Sequence, residues 1–505
     1  MGQRGKKLII GFLYRGASYA ISIGIAFFMM PFILHHLGDR QYGLWVLIGS
    51  FMGYMGYLDF GISAAVGRLV SRAIGQQDKD TINKIANTAF GIYVIISILT
   101  ILITTALMAG AGYFVKDVHD LQIVRFLLFC VGLSLTLGFP TRAFGSVITA
   151  NLKYQMSESI ITIELILRNI LIYNFFTWGF GIKTLGATVC ATSIFSYVLW
   201  VFFAFKAEPK LCFNFKYFCY SKIREIASYS IFSFISNLAT ILIHRIDALV
   251  ITVFLGLAHV AHFNVANVLM TYALNFLNRT TELIAPVFSQ DDGRNDTDGL
   301  KYRFFMTTKI TIYMSVFISL MAICYGSFFI RRWVGSEYLD AYPVLIVISL
   351  SNLVSGIIRP TQVLLFNTSH QKYLAIRSII EGFMNLGLSI ILVKMLGMIG
   401  VALGTLISIF IIRLFFQGSY VCKTLGIGHR QYFFDLLIKN VFLAFIAILP
   451  IFFILKNQIK PTYPYIFGFG LLHLAVFLPM AYFLGFKKHE RNYLLGFIQK
   501  KAKSE

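Results

Sequence analysis

The sequence predicts an all-α polytopic membrane protein of about 14 transmembrane helices. They form two six-helix lobes related by a parallel pseudo-two-fold repeat, plus a C-terminal helix pair. Three observations predict this. First, the 505 residues are 57% hydrophobic and only 13% charged, whereas soluble domains carry roughly 25% charge. Second, apolar runs of about 20 residues recur from end to end, each sufficient to cross a ~30 Å hydrocarbon layer; a membrane barrel would show alternating segments of about ten. Third, successive loops alternate between rich and poor in Lys and Arg.

Taken in order, the first spans are 8–34 and 42–66, joined across Leu37-Gly38. The opening MGQRGKK runs into the first span without a small-residue cleavage site, so it reads as a retained basic flank and not a removed signal. A basic stretch from Arg68 to Lys84 precedes spans 85–113 and 121–148; Lys153 precedes 159–182 and 184–206. The longest loop, 207–225, carries Lys210, Lys216, Lys222 and Arg224 and divides the lobes. Spans 226–254 and 257–287 meet at Leu255-Gly256, and 302–330, 341–366, 373–396 and 398–421 complete the second lobe. The pair 436–456 and 463–486 leads into a basic tail. The expected domains are therefore 1–206, 207–225, 226–422 and 423–505.

The opposite set of loops offers only Arg40, Lys116, Lys183, Arg331, Arg332, Lys394, Lys456 and Lys460. Positive-inside bias places both termini in the cytoplasm, which requires an even number of spans. The net charge of +22 is thus a topology signal and not a nucleic-acid footprint. Of the six cysteines, four fall in apolar spans as small hydrophobes. Cys212 and Cys219 have no His at zinc spacing, so neither metal nor disulfide is expected.

An internal repeat is legible. Leu37-Gly38 and Gly75 recur as Leu255-Gly256 and Gly293, Pro140-Thr141 as Pro360-Thr361, and Lys153-Tyr154 as Lys372-Tyr373, all displaced by 218 to 220 residues. With an even number of spans per repeat the halves share orientation, the arrangement in which some transporters bind cargo between halves.

Charges inside the spans carry the functional signal, because an ionised group at bilayer depth costs from ~3 to over ~10 kcal/mol and usually faces a cavity or a partner. Arg15, Arg142, Arg245, Arg279, Arg359 and Arg413 all lie within apolar stretches. Guanidinium groups on a shared cavity suit a phosphate-bearing cargo. Arg15, Asp59, Arg279 and Glu282 fall in the cytoplasmic halves of their spans and are expected to form a mixed-charge cluster. Arg245 and Asp247 lie deeper, beside His244. Against this stands a structural reading: Arg15, Arg142, Arg359 and Arg413 are able to snorkel to the interface, Glu164 and Arg168 read as a structural pair, and Arg377 is placed to neutralise Glu381. Arg15, Arg142, Arg245, Arg279 and Arg359 are the expected substrate contacts, and Asp59, Asp247 and Glu282 the expected ion-coupling acids.

No GKS or GKT phosphate loop, HExxH or GxSxG is present, so no cofactor is expected and the energy must come from a gradient. Two stretches, Pro31-Phe-Ile-Leu-His-His-Leu-Gly-Asp-Arg-Gln-Tyr-Gly-Leu-Trp45 with Leu58-Asp-Phe-Gly-Ile-Ser63, and Arg245-Ile-Asp247 with Leu255-Gly256, resemble polysaccharide-exporting flippases. These belong to the multidrug/oligosaccharidyl-lipid/polysaccharide superfamily, in particular its Wzx-type O-antigen flippases. The resemblance implies an alternating-access transporter in the bacterial inner membrane. Its implied cargo is undecaprenyl-pyrophosphate-linked oligosaccharide, moved with protons or sodium alongside polysaccharide polymerase and assembly proteins. Two rivals are a cation-coupled drug exporter of the same fold, which the arginine excess disfavours, and a membrane polysaccharide polymerase or ligase, which would need a large outer loop.

Overall fold

The computed structural model describes residues 3–113, 115, 117–228, 230, 246–282, 284–368, 370–455 and 462–491. Among the described residues the ordered elements are helices, and ten helical segments are long and apolar enough to cross a membrane. The chain divides into two compact units, Met1–Ala261 and His262–Glu505.

In the first unit, the first two expected spans are two helical stretches, labelled together α1 (Gln3–Gly56), that meet at a non-helical kink at Gly38 with φ 69° and ψ 170°. That conformation is essentially closed to side chains, so the Leu-Gly step separates the two spans within a single glycine. The second span does not close at 66. After a 3₁₀ turn at Tyr57–Asp59, Phe60 and Gly61 adopt left-handed conformations and the helix resumes as α2 (Ile62–Gly75). The basic stretch from Arg68 therefore begins on a helix.

Helix α3 (Lys79–Gly110) starts where Asp78 accepts hydrogen bonds from the Thr81 amide at 3.0 Å and hydroxyl at 2.6 Å. These bonds favour the ionised cap, and they hold the Asp78 carboxyl below its ordinary value. Helix α4 (Val118–Ala150) contains Pro140, which supplies no amide proton to the carbonyl one turn earlier. The Ser97 hydroxyl of α3 donates to that carbonyl, Thr136 O, at 2.7 Å. Helices α5 (Tyr154–Thr177) and α6 (Lys183–Ala207) follow. Helix α4 packs on α2, α3 and α6, and α5 on α1, around buried Val66, Tyr93, Leu127 and Phe139.

The loop 207–225 is docked onto α3. The Asn83 side chain accepts from the Cys212 amide at 2.9 Å, and Asn87 donates to the Cys212 carbonyl at 2.7 Å and accepts from the Asn214 amide at 2.9 Å. Elsewhere Phe28, Ile95, Leu102 and Phe202 are more than half exposed, the composition of a surface facing hydrocarbon.

Helices α7 (Asp247–Leu255) and α8 (Leu257–Glu282) meet at Gly256, φ 93° and ψ 172°. The latter carries the chain into the second unit. There follow α9 (Ala285–Gly293), α10 (Thr297–Trp333), α11 (Ala341–Asn367, containing Pro360), α12 (Gln371–Leu396) and α13 (Met398–Ser408). A π-helical turn, Ile409–Gln417, separates α13 from α14 (Gly418–Leu425). A second, Gln431–Ile438, leads into α15 (Lys439–Leu455), and α16 (Tyr463–Gly485) completes the described helices. Phe304, Ile312, Val316, Leu364 and Tyr432 form the core of this unit.

The backbone itself repeats. Gly38 and Gly256, Gln77 and Asn295, and Gly179 and Gly397 all have positive φ at a spacing of 218 residues. Asp78 and Asp296 cap α3 and α10 at the same spacing, the latter accepting from the Gly299 amide at 2.9 Å.

Candidate functional site

In the first unit, the break between α1 and α2 leaves Asp59 at a helix start. Its carboxylate accepts from the Ser63 hydroxyl at 2.6 Å, the Ser63 amide at 3.3 Å and the Tyr93 hydroxyl at 2.7 Å. Arg142, projecting from α4 two residues after Pro140, completes the set. Its Nη1 lies 3.2 Å from Asp59 Oδ1 and donates to the Gly56 carbonyl at 3.1 Å, while its guanidinium stacks 4.6 Å from the Phe139 ring centre. Arg142 opens on a cavity of about 500 Å³ lined also by Ser63, Thr141, Ser146, Tyr197 and Trp200 among others. Glu164 and Arg168 pair one turn apart on α5, and the Ser193 hydroxyl of α6 donates to Glu164 at 3.2 Å.

Arg15 and Asp59 do not share one cluster. Arg15 Nε lies 3.1 Å from Glu158 on α5, with its guanidinium over the Tyr154 ring. Asp247 occupies the first turn of α7. Its Oδ1 is buried without a hydrogen-bond partner. Arg245 and His244 lie outside the described residues.

In the second unit, Arg359 immediately precedes Pro360 on α11. Its Nη2 lies 2.7 Å from Glu282, the last residue of α8, and its Nη1 donates to Gln362 at 3.2 Å. Its Nε is buried and makes no hydrogen bond. The side chain of Glu282 is 59% exposed against 14% for Asp59, so the two ion pairs differ in how firmly the acid is held. Arg279 stands exposed in the last turn of α8.

Snorkelling does not describe Arg142, Arg359 or Arg413, each of which meets a carboxylate. Glu381, fully buried on α12, is held by Arg377 at 2.8 Å and by Arg413, from the first π-turn, at 2.7 Å. A carboxylate taken out of water needs close partners, and these draw both guanidiniums inward. Two cations on one anion leave a net positive charge, and Arg377 Nε has no partner. Sequence reasoning saw only Arg377 beside Glu381. It missed Glu158, Ser63, Tyr93, Tyr197 and Trp200, none of which stands out among the serines and aromatics of an apolar span. Among the described residues, no three His, Cys, Asp or Glu side chains are grouped to hold a metal ion.

A family model described as "Polysaccharide biosynthesis protein" matches residues 8–291. The chain belongs to that family. Over 98% of its length, this polysaccharide biosynthesis family member is 21% identical to EpsK of Bacillus subtilis strain 168, described as an uncharacterized membrane protein, and it covers 98% of that protein. The fold is similar to that of the lipid II flippase MurJ in an inward closed conformation. The TM-score is 0.71 at 17% identity, covering 94% of this chain and 98% of the other. It is also similar to an inward-facing multidrug-resistance MATE transporter of the MOP superfamily, with TM-score 0.69, 14% identity and coverage of 81% and 95%. The family member is thus a polytopic membrane protein with the MOP-superfamily fold.

Proposed function

We propose that the protein is a flippase for an undecaprenyl-pyrophosphate-linked oligosaccharide, moving it from the inner to the outer leaflet of the bacterial cytoplasmic membrane by alternating access. Both termini are assigned to the cytoplasm. Family membership supports a polysaccharide cargo; the observation that carries the headgroup assignment is the orphaned Nε of Arg359. A buried donor left unmade costs ~1–3 kcal/mol, and a diphosphate oxygen would satisfy it once the guanidinium turns out of its present contacts. Glu282, exposed and holding the other side of the same guanidinium, competes with that anion. Carboxylate and diphosphate thus compete for one guanidinium, which makes Glu282 the first candidate to couple cargo binding to a proton or sodium ion.

Asp247, buried and unbonded at Oδ1, is the second coupling acid in this scheme. Asp59, fixed by four contacts, serves as the standing counter-ion of Arg142. The exposed Arg15 and Arg279, together with Arg245, supply the field that draws in an anionic headgroup. Membrane lipids and polysaccharide polymerase or assembly proteins are the expected partners.

Arg359→Glu tests the scheme. The variant is expected in the membrane at normal amount, with surface polysaccharide lowered at least tenfold and the lipid-linked precursor retained in the inner leaflet. Glu282→Gln should bind pyrophosphate at least as well as wild type yet translocate slowly. Normal surface polymer on Arg359→Glu would remove the assignment.

A further inference from the structure

The Arg142 cavity of the first unit is chemically unlike an anion site. Every hydroxyl around it already spends its proton inside the protein. Thr141 donates to Gly138 O at 2.7 Å, Ser146 to Arg142 O at 2.9 Å, Ser63 to Asp59 at 2.6 Å and Tyr197 to Ser134 O at 2.9 Å. What these oxygens turn outward is therefore lone pairs. Arg142 is balanced by Asp59 and brings no net charge. A phosphate, which only accepts hydrogen bonds, would meet acceptors on every side but that of Arg142, whose charge Asp59 already balances. A hydroxyl-rich neutral molecule would meet what it needs.

The wall between the hydroxyls is aromatic, made of Trp200 and Tyr197. Two glycines of α4 make room for these rings. A Cβ on Gly138 would come within 2.5 Å of the Tyr197 hydroxyl, and one on Gly145 would touch the Trp200 indole at 3.5 Å. Acceptors beside aromatic carbon form the surface that receives a pyranose ring, whose hydroxyls donate at its edge and whose C–H bonds lie against the aromatic wall. The volume of about 500 Å³ lies within the range of small-ligand pockets.

We infer that this cavity is a neutral-sugar subsite, which receives a glycosyl unit of the cargo and not its diphosphate. The inference rests on the flippase reading above. It assigns the glycan chemistry of the cargo to the Arg142 cavity of the first unit.

The test uses the full-length protein in lipid-free detergent and two probes: the neutral repeat-unit oligosaccharide cut from the host's surface polymer, and inorganic pyrophosphate. Trp200→Ala is expected to weaken oligosaccharide binding at least tenfold and leave pyrophosphate binding within twofold. Trp200→Phe should recover most of the loss. Thr141→Val, similar in size but without the acceptor, should weaken the oligosaccharide alone and serves where Trp200→Ala fails to fold. Wild-type affinity for the oligosaccharide in Trp200→Ala and Thr141→Val would overturn the subsite, as would failure of the wild-type protein to bind it. In either case, loss of surface polymer on gene deletion would leave the flippase reading standing. Intact polymer after deletion would overturn both.

Discussion

Glu381 shows how one side chain organises charge inside an apolar unit. It is fully buried, and Arg377 and Arg413 both depend on it. Replacing it by Gln leaves two guanidiniums facing each other without an anion, and breaking a buried pair in this way costs about 3–5 kcal/mol. Glu381→Gln should therefore lower thermal stability in detergent markedly. The triple variant Glu381→Met, Arg377→Met, Arg413→Leu should regain most of it, since buried ion groups are often replaceable by apolar residues of similar volume. Equal melting of Glu381→Gln and wild type would show that the carboxylate does not hold the cluster. The comparison of Asp59 with Glu282 makes the complementary point: both face an arginine, but three further hydrogen bonds fix only the former.

At the scale of elements, the bends at Gly38 and Gly256 set where each long helix turns. Both adopt a combination of positive φ and extended ψ whose occupation by a side chain costs ~1–3 kcal/mol. Gly38→Ala and Gly256→Ala should each reduce stability by that order, read as a fall in Tm, whereas Gly49→Ala, with open space around it and an ordinary helical backbone, should be neutral or better. These bends were legible, because Leu-Gly recurs at matched positions and glycine is the residue such a backbone requires. The ion pairs were not. Asp59 and Arg142 are 83 residues apart, and periodicity along one helix says nothing about which face of another will meet it. Arg413 was also obscured by the π-turn, which shifts its direction away from the α-helical count.

For the whole molecule, the polytopic all-helical class followed from composition and run length, and the repeat appeared first as spaced glycines and prolines. The separation of the first two spans at Gly38 followed too; the second break, at Phe60–Gly61, did not, because it falls inside one apolar run. Topology has its own test in the docked loop 207–225. There the Ser221 hydroxyl, 3.1 Å from the Cys219 sulfur, holds that thiol below its ordinary value. A lowered value means the reactive thiolate persists to lower pH. Cys219 should thus be alkylated at a pH where an ordinary thiol is silent, and Ser221→Ala should move the profile upward. An impermeant maleimide should reach Cys219 and the exposed Cys212 only when the cytoplasmic face is open. Labelling of either from outside intact cells would reverse the proposed orientation.

The wide turn at Ile409–Gln417 has one more implication. A π-turn accommodates more residues than an α-turn over the same rise, so deleting one residue there lets the helix rewind instead of leaving a gap. Rewinding would absorb the loss, so Gly418–Leu425 would keep its face, whereas the same deletion within an ordinary α-helix swings everything beyond it by about 100°. The segment thus holds a spare residue, and the helix beyond it keeps its inward side chains with or without that residue.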